Sequence, residues 1–287
     1  MKEARVIVLA GQSNAVGVGF TQYLPEHFDG DTVAAFHRGY DRIRISYVSH
    51  DIQSDGFVPT RVNCTEATKD TLGPEVGIAR VLSRAYPDED FYIVKCAFGA
   101  TSLHYDWRPP SSGVPFRREL TAEPARAIPD PAFRFEGWCY NACVKRLEEA
   151  FRDLRAQGLE PRVCAFCWMQ GEGDAAEPYV LDYVERYDGL LRDLREAFAP
   201  AFEGCTYIDA GISQVWENYG EMNARKRAYA EAHGHRFIDT VGAGLTTLNE
   251  PYGEPDTYHY DVESTVRLGE LFAHEVLAAG LNAKPDV

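Results

Sequence analysis

The sequence predicts an α/β protein, a mainly parallel sheet covered by helices, and two patterns carry that expectation. Short runs rich in β-branched and aromatic residues alternate with longer stretches of helical periodicity, the order in which crossover units build a parallel sheet. Those runs are close to continuously apolar, as strands buried on both faces must be. At 287 residues and 45% hydrophobic the chain can bury a large core. No repeat, low-complexity tract or linker divides it, so a single domain over residues 1–287 is expected.

The first strand is Arg5–Ala10, which runs straight into Gly11. Thr32–Phe36 reads as a second, from its Val33 and Phe36. The region 44–70 is mixed and polar, with a further strand candidate at Ile43–Val48. Glu75–Ala85 has helical periodicity, and Pro74 suits a helix start because its missing N–H costs nothing there. Phe91–Ala97 is a strand. Residues His104–Glu136 form a long loop rich in Pro and Arg, of the kind that is usually functional or disordered.

Trp138–Gln157 is a helix whose Cys143, Leu147, Ala150, Phe151 and Leu154 recur at three- and four-residue steps, with Gly158 as its stop. Strands at Val163–Trp168, Thr206–Ala210 and Arg236–Asp239 then alternate with helices at Glu177–Phe198, Glu221–Ala232 and Val262–Ala279. Asp261 is placed to cap the last helix.

Composition narrows the function. The net charge is −15, and so acidic a surface disfavours phosphate backbones and anionic lipid faces. Neither nucleic acid nor a membrane is expected as a partner, and no stretch approaches the ~20 apolar residues of a membrane span. The apolar run Val6–Ala10 is too short for a secretion signal, so a cytoplasmic location is expected. The 7 cysteines are irregularly spaced. A zinc site at Cys164 and Cys167 is one reading, but three residues apart on a strand they point to opposite faces. Buried thiols are the simpler reading. The glycines after the first strand match neither G-x-G-x-x-G nor G-x-x-x-x-G-K-[ST], so no nucleotide cofactor and no metal is expected.

Four segments could carry chemistry. Ser13 follows a strand and a turn glycine, at the carboxyl edge where open α/β sheets bind ligands. A serine nucleophile needs that exposure and nearby N–H donors for the oxyanion; a turn or cap serine is the plainer alternative. In Asp256-Thr257-Tyr258-His259 a carboxylate can reach an imidazole three residues on, fix its tautomer and stabilise its charged form. Gln170, in Trp168-Met169-Gln170-Gly171-Glu172-Gly173-Asp174, offers a neutral N–H donor after a strand. Gly99, in Cys96-Ala97-Phe98-Gly99-Ala100-Thr101-Ser102-Leu103, could present another. All four follow a strand or precede the last helix, so they can converge on one sheet edge, as an acyl-transfer site requires.

These segments together resemble the SGNH hydrolase superfamily, in its sialate O-acetylesterase-like branch of carbohydrate acetyl esterases. Gly11-Gln12-Ser13-Asn14 resembles the nucleophile block and Leu72-Gly73-Pro74-Glu75 the Gly-Pro-Glu helix start. Ala97–Leu103 resembles the second oxyanion block, Trp168–Glu172 the Trp-x-Gln-Gly-Glu block, and Asp256-x-x-His259 the terminal Asp-x-x-His.

The resemblance implies a three-layer α/β/α sandwich of flavodoxin-like type and a metal-free Ser-His-Asp esterase. Its substrate would be an acetylated sugar such as a sialate or a xylo-oligosaccharide. It assigns Ser13 as nucleophile, His259 as base, Asp256 as its carboxylate, and the Ser13 N–H, Gly99 and Gln170 as oxyanion donors. Gln12, Asn14 and Glu172 are candidates for substrate contact. The chain has Ala100 where the branch has a second glycine, and at positive φ an alanine would be strained.

Two rival readings accompany this one. Glu172 and Asp174 could be the carboxylate pair of a glycoside hydrolase, although residues two apart on a loop poorly flank a sugar bond. A catalytically inactive carbohydrate-binding protein on the same fold is the other. In the 104–136 loop, Trp107, Arg108, Arg117 and Arg118 are candidates for sugar stacking and hydrogen bonding.

Overall fold

In the computed structural model, residues 2–66, 69–117, 134–248, 250 and 256–281 are described. The sheet grows outward from β1 (Lys2–Gly11), whose residues from Val6 onward are all buried. On one side β1 pairs in parallel with β7 (Phe91–Ala97), and β7 with β3 (Tyr40–Ser49). On the other it pairs with β8 (Leu159–Met169), followed by β9 (Thr206–Ala210) and β10 (Arg236–Ile238), all parallel. Short antiparallel strands β4 (Ile52–Gln53) and β5 (Val58–Thr60) finish the β3 edge. A separate ribbon joins β2 (Gly19–Phe20) to β6 (Thr71–Leu72).

The described helices are α1 (Ser13–Val16), α2 (Leu24–His27), α3 (Gly30–Arg38), α4 (Glu75–Ala85), α5 (Trp138–Ala156), α6 (Tyr183–Ala197), α7 (Tyr219–His233) and α8 (Val262–Ala278). Side chains alternate across a strand, and β7 shows which helices lie on which face. Lys95 donates to Glu75 at the start of α4, while Cys96, the next residue, meets the carbonyl of Cys143 in α5. Helices α4 and α8 therefore cover one face and α5 the other, where α6 lays Tyr187 against Trp168 of β8. The result is a three-layer α/β/α sandwich with a mainly parallel sheet.

Glycines set the contact between α4 and α8. A Cβ on Gly77 would lie 2.0 Å from the Val266 carbonyl oxygen, and one on Gly269 would lie 1.8 Å from that of Pro74. Any larger residue would force the helices apart. Asp261 caps α8 by accepting from the Ser264 N–H, as its position predicts.

One strand expectation fails. Thr32–Phe36 lies within α3, which begins where Asp29 accepts from the backbone N–H and the hydroxyl of Thr32. Thr32 and Phe36, four residues apart, are its buried positions, one helical turn from each other. Phe36 packs in a second core cluster with Leu24, Val62, Leu72, Val76, Val262 and Val266. The sheet position is taken by β3, which contains the Ile43–Val48 candidate. Helix α6 also starts later than expected, at Tyr183. Before it, the Tyr179 N–H donates to Ala176 and that of Leu181 to Pro178, three-residue turns that do not extend into a helix.

Candidate active site

Four parallel strands end side by side. Ser49 of β3, Ala97 of β7, Gly11 of β1 and Met169 of β8 are register partners across the sheet. The ladder then runs one residue further. The His50 N–H donates to Ala97 at 2.8 Å, that of Phe98 to Gly11 at 3.0 Å, and that of Gln12 to Met169 at 3.0 Å. Residues just beyond this edge (His50, Gly99, Ser13 and Gln170) are thereby placed next to one another.

Gly11 makes the first turn possible. Its φ is +144°, and a Cβ there would sit 1.9 Å from the Met169 carbonyl oxygen. The chain turns sharply and Ser13 opens α1, 9% exposed. The first N–H groups of a helix have no acceptor within it, so they are free to meet an anion.

Asp256 and His259 meet as their spacing predicts: Nδ1 of His259 is 2.6 Å from Oδ2 of Asp256. Oδ1 of Asp256 accepts from the backbone N–H groups of Tyr258 and His259, which closes the turn. Partial burial alone would raise the Asp256 carboxyl pKa. The His259 hydrogen bond and the Tyr258 N–H outweigh it and hold the carboxyl below its usual range. The backbone N–H of Asp256 is itself anchored on the Glu250 carbonyl at 2.8 Å.

Asn14 ties this turn to the Ser13 segment. Its Oδ1 accepts from the Tyr260 N–H at 3.0 Å, and its Nδ2 donates to Oε1 of Glu172 at 2.9 Å. The residue after Ser13 thus holds the residue after His259. Burial pushes the Glu172 carboxyl up, partly offset by the Asn14 bond and the nearby charges of Lys226 and His259. Gln12 is equally committed, accepting from the Gly173 N–H at 3.2 Å. Gln12, Asn14 and Glu172 are each about 3% exposed. In this arrangement the polar atoms that bond within the protein join segments of the site to each other.

Gln170 is fully buried, and its Nε2 donates to Oδ2 of Asp174 at 2.7 Å and to the Thr101 carbonyl at 3.4 Å. Asp174 also accepts from the N–H groups of Leu103 and His104 and faces Nδ1 of His104. With its oxygens so occupied, Asp174 fastens the 99–104 turn to the 170–174 turn. Neither Glu172 nor Asp174 is arranged to flank a glycosidic bond. Gly99 lies against Ser13, since a Cβ built on it would be 3.8 Å from the Ser13 Cβ. Ala100 has φ +54°, the left-handed conformation that strains alanine.

Trp107, Arg108 and Arg117 are engaged elsewhere. Trp107 is fully buried, its indole N–H on the Thr101 hydroxyl and its ring packed between Phe98 and Trp168. Sugar stacking is therefore closed to it. Arg108 is spent on Ser112 and Glu136, and the Arg117 guanidinium covers Phe135. Arg118 and residues to 133 lie outside the described residues.

Two groups have no forerunner in the sequence reading. Lys226 of α7 is fully buried, with its ammonium 2.5 Å from the carbonyls of both Gln170 and Ala210 and 3.0 Å from Asp209. It fixes the backbone from which Gln170 projects, and burial pushes Asp209 up to about 6 despite that ion pair. His50 is the other. The signal for each would have been the strand order, which puts the ends of β3 and β9 within reach of β1.

An open α/β/α sheet that places a serine at a strand-end turn, with a carboxylate-bound histidine in a segment tied to that turn through Asn14, is an arrangement suited to ester hydrolysis. Consistent with that geometry, residues 3–278 match the family described as carbohydrate esterase, sialic acid-specific acetylesterase. The chain belongs to this family and is a carboxylic ester hydrolase acting on acetylated carbohydrate. No curated protein matches the sequence.

Solved structures share the fold at low identity. NanS aligns at TM-score 0.64 and 16% identity, covering 96% of this chain and 97% of its own. A protein of Arabidopsis thaliana aligns at 0.60 and 18%, covering 96% and 98%. A carbohydrate acetylesterase of Xanthomonas citri aligns at 0.52 and 12%, covering 96% of this chain and 55% of its own. Among the described residues no helix is long and apolar enough to cross a membrane, and no cluster of metal-binding side chains occurs.

Proposed function

We propose that Ser13, His259 and Asp256 form the catalytic triad of a sugar O-acetylesterase, with a sialate or another acetylated saccharide such as a xylo-oligosaccharide as substrate. The observation that carries this is the pair of bonds around the base. Asp256 holds Nδ1 of His259 at 2.6 Å, and Asn14 holds the Tyr260 N–H at 3.0 Å. The first fixes the tautomer that leaves Nε2 as proton acceptor, and the second brings the base's segment to the nucleophile's.

Nε2 of His259 takes the Ser13 hydroxyl proton as Oγ attacks the acetyl carbonyl. The oxyanion accepts from the N–H groups of Ser13 and Gly99. Gln170 joins them by releasing its 3.4 Å contact with Thr101, the looser of its two bonds. As the tetrahedral intermediate collapses, the sugar oxygen leaves with the proton from His259. Water then attacks the acetyl-serine, giving its proton to His259, and acetate departs as that proton returns to Ser13. Throughout, Asp256 stabilises the charged imidazole without being protonated itself.

Acetate and new reducing ends should be measured together after incubation with O-acetylated sialic acid and with acetylated xylo-oligosaccharide. Acetate release with the sugar chain intact is expected from at least one. New reducing ends without acetate would replace this reading with glycoside hydrolysis, and binding without either product would replace it with a binding protein.

A further inference from the structure

His50 is a half-buried titratable side chain at this strand edge that the triad does not use. It follows the last residue of β3, and its backbone N–H continues the ladder onto Ala97. Its φ is +45°, an uncommon value outside glycine. Four described non-glycine residues have positive φ: His50, Asn63, Ala100 and Asn218. Two are asparagines, which adopt this conformation readily. The other two, His50 and Ala100, both adjoin Gly99, and strained residues gather where a site constrains them.

The geometry aims the ring at the acyl site. A Cβ built on Gly99 would lie 3.2 Å from Nδ1 and 3.4 Å from Cε1 of His50, and 3.8 Å from the Ser13 Cβ. Glycine leaves that point empty, so the space in front of Gly99 is bordered by the imidazole on one side and the nucleophile on the other. Nδ1 of His50 is buried and has no hydrogen-bond partner. A buried polar nitrogen without a partner is costly, and here the missing partner matches the oxygen of an ester bound at Ser13.

Resting on the triad reading above, we propose that His50 is a further oxyanion donor: in its Nδ1–H tautomer it hydrogen-bonds the acyl oxygen in the transition state. This explains why a histidine is held in a left-handed conformation at the end of β3, where its ring reaches across Gly99. The bond forms fully only as charge develops on the oxygen, so its loss should appear in kcat with little change in KM.

The test uses His50→Gly, which suits positive φ, and His50→Asn, which suits it and keeps an N–H donor. Initial rates on p-nitrophenyl acetate are measured with Ser13→Ala alongside. His50→Gly should lower kcat ~10²-fold, the usual loss for one oxyanion donor, at unchanged KM and an unchanged melting temperature. His50→Asn should recover part of that loss. Full turnover by His50→Gly, or a loss that tracks melting temperature in both variants, would overturn the assignment while leaving the triad standing. A wild-type rate that Ser13→Ala does not reduce would instead fail the triad itself.

Discussion

Replacing Asn14 with alanine should uncouple the Ser13 segment from the His259 segment, and the structure sets the size of the effect. The substitution deletes two buried hydrogen bonds, from Nδ2 to Glu172 at 2.9 Å and from the Tyr260 N–H to Oδ1 at 3.0 Å. It leaves a backbone N–H and a carboxylate oxygen in the interior without those partners. At about 1–3 kcal/mol for each group so stranded, the expected loss of stability is about 2–6 kcal/mol.

Urea unfolding measures that loss, and initial rates on an aryl acetate measure the effect on the site. Both should fall, with kcat falling further than stability alone dictates because the His259 segment is no longer tied to that of Ser13. In a Glu172→Leu background the buried carboxyl is gone, so Asn14→Ala should cost about 1–2 kcal/mol less, a coupling that a double-mutant cycle detects. An Asn14→Ala enzyme within ~0.5 kcal/mol of wild type and with full turnover would refute the idea that this residue joins the two segments.

Three further outcomes follow from the same geometry. Ala100→Gly should raise stability by about 0.5–1 kcal/mol, because relief of left-handed strain of about 1–2 kcal/mol exceeds the added chain entropy; a lower melting temperature would contradict it. Gln170→Ala should reduce kcat ~10²–10³-fold, and unchanged turnover would remove its amide from the oxyanion site.

Glu250 is pushed up to about 7, chiefly by burial, while its oxygens accept from the N–H groups of Val262 and Phe20. The folded state therefore holds this proton from the usual 4.5 up to about 7, and stability drops as pH rises through that window. Glu250→Gln should lose less melting temperature than wild type between pH 5 and pH 8, and equal losses would show that Glu250 is not the source.

The parts of the fold legible in the sequence were those whose signal is local. Phe91–Ala97 and Thr206–Ala210 are strands with the expected ends, and Glu75–Ala85 is a helix with the expected ends. Each has a strong period and clear stops. Thr32–Phe36 misled because five residues are too few to separate the two periods, and the deciding signal was the Asp29 cap before it. Asp256 and His259 were legible as a pair for the same local reason, three residues on one turn.

Trp107 was not. An aromatic in a Pro-rich loop looks solvent-facing until tertiary packing closes over it. His50 and Lys226 were hidden for a topological reason. They are 37 residues after and 56 residues beyond their site partners Ser13 and Gln170 respectively, and only the strand order brings them together.

The most direct test of the account is the rate of p-nitrophenyl acetate hydrolysis by wild type and Ser13→Ala, with mass spectrometry of the quenched wild-type reaction. The account predicts a wild-type rate that Ser13→Ala abolishes, and an acetyl group trapped on the peptide that carries Ser13. Equal rates from the two proteins, or an acetyl group on a different residue, would contradict it.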